Sequence, residues 1–218
     1  MAHRISISNV DFVATNRGDR PADGGIFVRP TEVDKTAKLV FTGEAYAKMT
    51  LLVQTSEKEV GWHGVCTREN EDVYVIRDIL VYPQKAKAAF VESDDNRIAE
   101  WVSSLDDDTI NNMRMQGHSH VNMGVSPSGK DIMCENDFLS QLGKDDFYVF
   151  LIWNKKGEKT VRIFDYEKDV VFETDDVDVY VGEVNIDDFV VDARRMVTNG
   201  DEYKYIKGGE YYGFDEDF

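Results

Sequence analysis

The stretch FYVFLIW, Phe147 to Trp153, is the longest unbroken apolar run in the chain and the strongest constraint on how it folds. It is far too short to cross a bilayer, which takes about 20 residues of helix. A short run this rich in aromatic and branched side chains reads instead as a strand. The polar turn Lys155-Lys156-Gly157-Glu158 then leads back into TVRIF, so Asp145 to Glu167 predicts a hairpin. The chain has 218 residues, 42% of them hydrophobic and 11% aromatic, which fills a core without disulfides. That length suits one large domain, or one domain with an appendage.

Other segments alternate between helical and strand patterns. The first forty or so residues are punctuated by Gly18, Pro21, Gly24, Gly25 and Pro30 and predict short strands and turns around a flexible loop. Ala45, Tyr46, Met49, Leu52 and Val53 recur at helical spacing behind Thr42, a suitable cap, giving a helix to about Ser56. EVGWHGVC and DVYVIRDILVY predict a hairpin around a polar break at Thr67 to Asp72. A second helix starts near Asp94 or Asp95, with Ile98, Trp101, Val102 and Leu105 on one face. MRMQGHSH reads as a strand, and Ser128 caps a third helix that runs to about Leu142 and stops at Gly143. Trp62 and Trp101 are expected in the core.

The formal net charge is −17, and acids crowd the last quarter of the chain. Between Asp165 and Asp192 eleven acids face one lysine, interleaved with VVF, VYV and FVV, which predicts an acidic, strand-rich C-terminal extension. The final EYKYIKGGEYYGFDEDF is expected to be mobile. Such a balance argues against nucleic acid, whose phosphates need clustered Lys and Arg, and against anionic membranes. Two cysteines, Cys66 and Cys134, and an N-terminus without a signal-peptide core point to a reducing cytoplasm.

Against that acidic background, GHSHVNMGVSPSGKD places two of the chain's four histidines one residue apart. In a strand, residues i and i+2 point the same way, so His118 and His120 can present ring nitrogens to one point. Asp131 falls one turn into the helix capped by Ser128, where it can return a carboxylate oxygen. Two nitrogens and one oxygen suit zinc and leave a fourth tetrahedral position open, the arrangement of a catalytic rather than a structural site. Such a site also needs a base that is not itself a ligand.

The spacing H-S-H, seven residues, S-x-x-D resembles the signature of the JAMM metalloproteases, the catalytic branch of the JAB/MPN domain family, and the acidic extension suggests a prokaryotic or phage-type member. The likeness covers roughly Leu39 to Tyr166, flanked by an N-terminal extension (1–38) and the acidic extension (167–218). It implies a mixed, twisted β-sheet flanked by helices, an α/β sandwich of the MPN type that is also cytidine-deaminase-like. It implies that His118, His120 and Asp131 hold zinc and that Glu59, in KEVGWHG, is the catalytic base. Ser128 would donate to the oxyanion. The substrate would be a protein or peptide, including a ubiquitin-like conjugate, cut at a peptide or isopeptide bond. The family often has proline after the second histidine, where this chain has Val121.

Two further residues are candidates to line the cleft. His63 falls an even number of residues after Glu59, hence on the same face of a regular strand, although an ordinary partly buried histidine is the simpler expectation. Cys134 lies three residues beyond Asp131, on the same side of the helix. The alternative to an enzyme is a non-catalytic MPN-like assembly subunit with a structural metal. A zinc deaminase would need H-x-E and P-C-x-x-C, and neither occurs.

Overall fold

The computed structural model describes residues 3–5, 30–32, 36–86, 91–93 and 95–196. The elements in chain order are β1 (His3–Ile5), β2 (Pro30–Glu32), β3 (Ala37–Phe41), α1 (Gly43–Thr55), β4 (Gly61–Asn70), β5 (Val73–Leu80), β6 (Gln84–Ala86) and β7 (Val91–Ser93). There follow α2 (Asp95–Ser103), α3 (Asp107–Asn111), β8 (Met113–Ser119), α4 (Gly129–Leu139), β9 (Phe147–Trp153) and β10 (Lys159–Asp165). The last are β11 (Val170–Phe172), β12 (Val177–Val181), β13 (Val184–Asn185) and α5 (Ile186–Met196). Eleven strands form one mixed sheet in the order β13-β12-β3-β5-β4-β8-β9-β10-β11-β1-β2, and β6 pairs with β7 alone. The architecture is mixed α/β. Among the described residues no helix is long and apolar enough to cross a membrane.

FYVFLIW is β9, an interior strand with β8 parallel on one side and β10 antiparallel on the other. All of its residues except Phe150 are buried, because both faces of the sheet are covered there. One face carries Val149, Leu151 and Trp153 into the main core, with Leu39, Phe41, Trp62, Ile76, Met115 and Ile163. Helix α1 closes this face. Thr42 caps it by accepting the Ala45 N–H, and Ala45, Met49 and Val53 recur every four residues as its buried stripe. Burying side chains of this size contributes about 1.5–3 kcal/mol each.

The opposite face carries Phe150, Phe164 and Val171 against Leu139 of α4, a smaller cluster completed by Leu142 and Tyr166. Because side chains alternate along a strand, the register Gln116↔Phe150 and His118↔Ile152 places Gln116 and His118 on this α4 face. The β9–β10 turn uses Gly157 at φ 79°, a conformation that residues with a Cβ rarely adopt.

Several boundaries differ from those expected of the sequence. Strand β4 runs through the supposed break as far as Asn70, and α4 stops at Leu139, with single turns carrying the chain to Leu142. The acidic stretch after Asp165 is not a separate strand-rich extension. β11 pairs with β10, and β12 lies parallel to β3, about 140 residues earlier in the chain, with Val170, Phe172, Val177 and Val179 in the main core. Asp176 is itself buried, at the short turn between β11 and β12, while the alternating valines and Phe172 extend the sheet. FVV, expected as strand, lies in α5, where Asp187 and Asp188 occupy the first turn and Arg194 and Arg195 the last, as the helix dipole favours. A second compact unit begins at Asp187. The last residues, expected to be mobile, and most of the first forty lie outside the described residues.

Candidate metal centre

Strand β8 delivers the histidines to the rim of the sheet. His118 is its penultimate residue, and His120 sits just beyond its end. The His120 N–H still donates to the Trp153 carbonyl at 3.0 Å, so the pairing of β8 with β9 extends through this residue. His120 Nδ1 lies 2.7 Å from the Gly124 carbonyl oxygen. A carbonyl only accepts, so Nδ1 carries the proton and Nε2 is left with its lone pair. That lone pair meets His118 Nε2 at 3.1 Å.

Asp131 closes the group from α4, with Oδ1 at 3.3 Å from His118 Nε2 and Oδ2 at 3.7 Å from His120 Nε2. Its position follows from a reciprocal cap. The Ser128 N–H donates to Asp131 Oδ2 at 2.7 Å and the Asp131 N–H donates to Ser128 Oγ at 3.3 Å. Burial works to raise the Asp131 carboxyl, but hydrogen bonds with His118 and Ser128 outweigh it and hold the group well below the usual carboxylate range. His118, His120 and Asp131 each offer an atom within 4.8 Å of the others, and they form the one such group among the described residues. A single hydrogen on His118 Nε2 can be given to Asp131 or to His120, whereas a metal ion would draw on all three donor atoms at once. Two imidazoles and a carboxylate are a donor set that zinc accepts, so the residues present fit the ion.

Glu59 lies between α1 and β4, just ahead of the strand start expected of it. Ser119 places it. The buried hydroxyl of Ser119 accepts the Val60 N–H at 3.1 Å, and the Ser119 N–H donates to the Val60 carbonyl at 2.9 Å. Gln84 holds the next residue, its side-chain amide bonding both the N–H and the carbonyl of Gly61 at 2.8 Å. Glu59 is only 4% exposed, and burial raises its carboxyl above the ordinary value despite the nearby histidines. It shares a cleft of about 280 Å³ with His120, Ser128, Lys130 and Asp131. Ser128 Oγ accepts within the cap, so its hydroxyl hydrogen is not consumed there.

Ser119 and Gln84 are positioning residues that sequence reasoning misses. The H-S-H motif contains Ser119, but its partner is a backbone N–H about 60 residues away, and nothing in local pattern announces that. Gly117 carries a similar long-range constraint, since a Cβ there would lie 2.4 Å from the Trp62 ring.

His63 and Cys134 fall differently. His63 shares the α4 face but packs among Tyr82, Trp101 and Phe138, with ring centroids 5.0, 6.0 and 6.4 Å away, rather than in the cleft. Burial depresses its imidazole to about 4. Cys134 stands outside the metal group, with Sγ 3.9 Å from Gln116 Oε1, and lines a second, smaller cavity beside His118 and Asp131. Burial pushes its thiol up. Val121 takes φ 47°, which proline, locked near about −65°, cannot adopt. The loop leaving His120 therefore follows a path unavailable to the proline-bearing pattern.

No family model matches the chain, and no curated protein matches it. Among solved structures, the solution structure of protein DSY2949 from Desulfitobacterium hafniense is similar at 19% identity, covering 66% of this chain and 93% of that one. Its TM-score of 0.41 is too low to carry an argument about either fold or function.

Proposed function

We propose that the protein is a zinc-dependent peptidase or isopeptidase of the JAB/MPN type, acting on a protein or peptide that includes ubiquitin-like conjugates. One observation carries the proposal. His118, His120 and Asp131 converge from two elements in a cleft that also holds a buried carboxylate, Glu59, and the hydroxyl of Ser128. The resemblance of the H-S-H and S-x-x-D spacing to the JAMM signature adds the family and the MPN type of sandwich.

On this reading His118 and His120 ligate through Nε2 and Asp131 through Oδ1, since Oδ2 already accepts the Ser128 N–H. When bound, the ion supplies the positive charge that acidifies a water and polarises a carbonyl. Glu59 takes the proton from the attacking water and hands it to the leaving nitrogen. Its burial suits this, because a carboxylate raised toward the working pH takes up the proton more readily than an ordinary one and still releases it at that pH. The Ser128 hydroxyl donates to the oxyanion, a contribution of about 10²–10³ in rate.

The test is elemental analysis of protein purified without a metal-affinity tag, alongside hydrolysis of quenched peptide and isopeptide substrates. Wild type and Glu59→Gln are expected to hold one zinc per chain, with Glu59→Gln losing about 10²–10⁴ in rate. Asp131→Ala is expected to lose both metal and activity. Zinc bound with no hydrolysis would favour an assembly subunit with a structural metal. Full activity in Glu59→Gln would sink the mechanism.

A further inference from the structure

The first half of α4 stands over β8, β9 and β10 with a cavity of about 70 Å³ beneath it, directly beside His118 and Asp131. Its walls include Pro127, Phe150 and Ile152, with Cys134 at the side. Three charged residues also line it, Asp131 and Glu135 from α4 and Arg162 from β10. Arg162 is already committed. Its Nη1 donates to Glu135 Oε2 and its Nε donates to Glu173 Oε2 at 3.1 Å. Glu135 is only 6% exposed, yet its other oxygen, Oε1, accepts no hydrogen bond. A buried carboxylate oxygen without a donor is costly, and none of the catalytic roles above uses it.

We infer that this cavity is a specificity subsite for a basic side chain, lysine or arginine, flanking the bond that is cut. Apolar walls suit the aliphatic stem of such a residue, as they do wherever long cationic side chains bury their methylenes. Among the lining residues the acids Asp131 and Glu135 outnumber Arg162, so a cation is favoured over a further anion. The terminal torsion of a glutamate is broad, and the Glu135 carboxylate can turn to meet a donor entering from the cavity. An acidic side chain would meet carboxylates whose one local partner is taken. An apolar side chain of the same length would fill the walls and leave Oε1 without a donor, and a neutral hydroxyl would supply a donor but no charge. The inference rests on the peptidase reading for its biological meaning, but the pocket's preference is testable without it.

The probes are n-butylammonium, n-butanol and butyrate, titrated into metal-free protein and followed through the methyl resonances of Leu151 and Ile152. Saturable shifts from n-butylammonium, with n-butanol and butyrate roughly tenfold weaker or silent, are expected. Glu135→Gln should weaken n-butylammonium roughly tenfold while leaving n-butanol unchanged. Equal binding of the cation and the alcohol, or preference for butyrate, would overturn the inference from wild type alone, whether or not the variant folds. A second arm profiles zinc-loaded protein on peptides randomised around the cleaved bond. Cleavage without preference for Lys or Arg would overturn the subsite and spare the peptidase. Selective n-butylammonium binding without any cleavage would do the reverse.

Discussion

Arg68, Tyr74 and Asp165, at the far end of β4 from Gly61, can be set beside His118, His120 and Asp131. Both groups set an acid among polar side chains, Asp165 fully buried and Asp131 half-buried. Asp165 is fully buried, and every one of its acceptors is met from within the fold. Arg68 Nη1 donates to Oδ1 and Oδ2 at 2.9 and 2.6 Å, the Tyr74 hydroxyl donates to Oδ2 at 2.6 Å and the Lys168 N–H donates to Oδ1 at 3.2 Å. Arg68 also pairs with Glu167. At the other end two imidazole nitrogens lie 3.1 Å apart with a carboxylate oxygen nearby. A saturated cluster has done its job once the chain folds. The second group, on the proposed reading, is the one left with donor atoms for an ion to use.

The largest expected effect separates the two in stability. Asp165→Ala leaves Arg68 and Tyr74 without their buried partner and should cost about 3–5 kcal/mol in urea unfolding of metal-free protein. Asp131→Ala removes a cap and should cost about 1 kcal/mol in the same assay, while abolishing metal binding. Equal costs would erase the contrast.

Next come two buried groups on the α4 side of the sheet with opposite pH signatures. Burial, opposed by Arg162, pushes Glu135 up to about 7, and burial depresses His63 to about 4. The folded protein binds the Glu135 proton more tightly than the unfolded chain does. That contribution is full below about 4.5, the ordinary glutamate value, and lost as pH rises to about 7. His63 works the other way. Its contribution is full above about 6.5 and lost as pH falls toward 4. Each is on the order of 3 kcal/mol, so in wild type they largely cancel between about pH 4.5 and 6.5. His63→Phe, which keeps the aromatic packing, should expose a stability that falls as pH rises. Glu135→Gln should expose one that rises. Parallel pH profiles in the two variants would show that neither group is buried as described.

How much of this was legible in the sequence follows from how local each determinant is. Thr42 capping α1, Ser128 capping α4 and the apolar period of the hairpins are short-range, and these elements form where the pattern puts them. The same holds for His118, His120 and Asp131, brought together by a strand end and a helix start close in sequence. What was not legible depends on distant partners. The pairing of β12 with β3 turns an apparent acidic extension into part of the main sheet. FVV suits a strand or a helix equally over so short a span, and the charges at the ends of α5 decide it. Ser119, Gln84 and Glu135 owe their roles to neighbours 23 to 59 residues away.

Ser119→Ala tests one of those long-range roles. It leaves the buried Val60 N–H without its acceptor, which should cost about 1–3 kcal/mol in thermal or urea unfolding. Zinc content should stay at the wild-type value, because no ligand is touched. The hydrolysis rate should fall, since Glu59 is the residue that Val60 anchors. Loss of zinc instead would mean that Ser119 supports the histidines more than the base.

The smallest expected effect concerns the backbone. Among the described residues, two other than glycine adopt positive φ, and they sit at the two ends being compared: Asp169 at 50°, in the turn beside the Asp165 cluster, and Val121 at 47°, directly after His120. Aspartate tolerates this region comparatively well, whereas a β-branched side chain is strained there by roughly 1–2 kcal/mol. The chain keeps that strain beside His120, where the Val121 carbonyl accepts the Lys155 N–H at 2.7 Å and holds the loop to the β9–β10 turn. Val121→Asn keeps the carbonyl and suits the left-handed region, so it should stabilise metal-free protein by about 1 kcal/mol or less, after the loss of some apolar burial. Zinc affinity, read by competition with a chelator, should be unchanged if the strain is only the cost of a tight exit from the strand. A drop in affinity with the gain in stability would mean that the strained turn itself presses His120 toward His118. The saturated end of the molecule, built on a tolerant aspartate, shows no such trade.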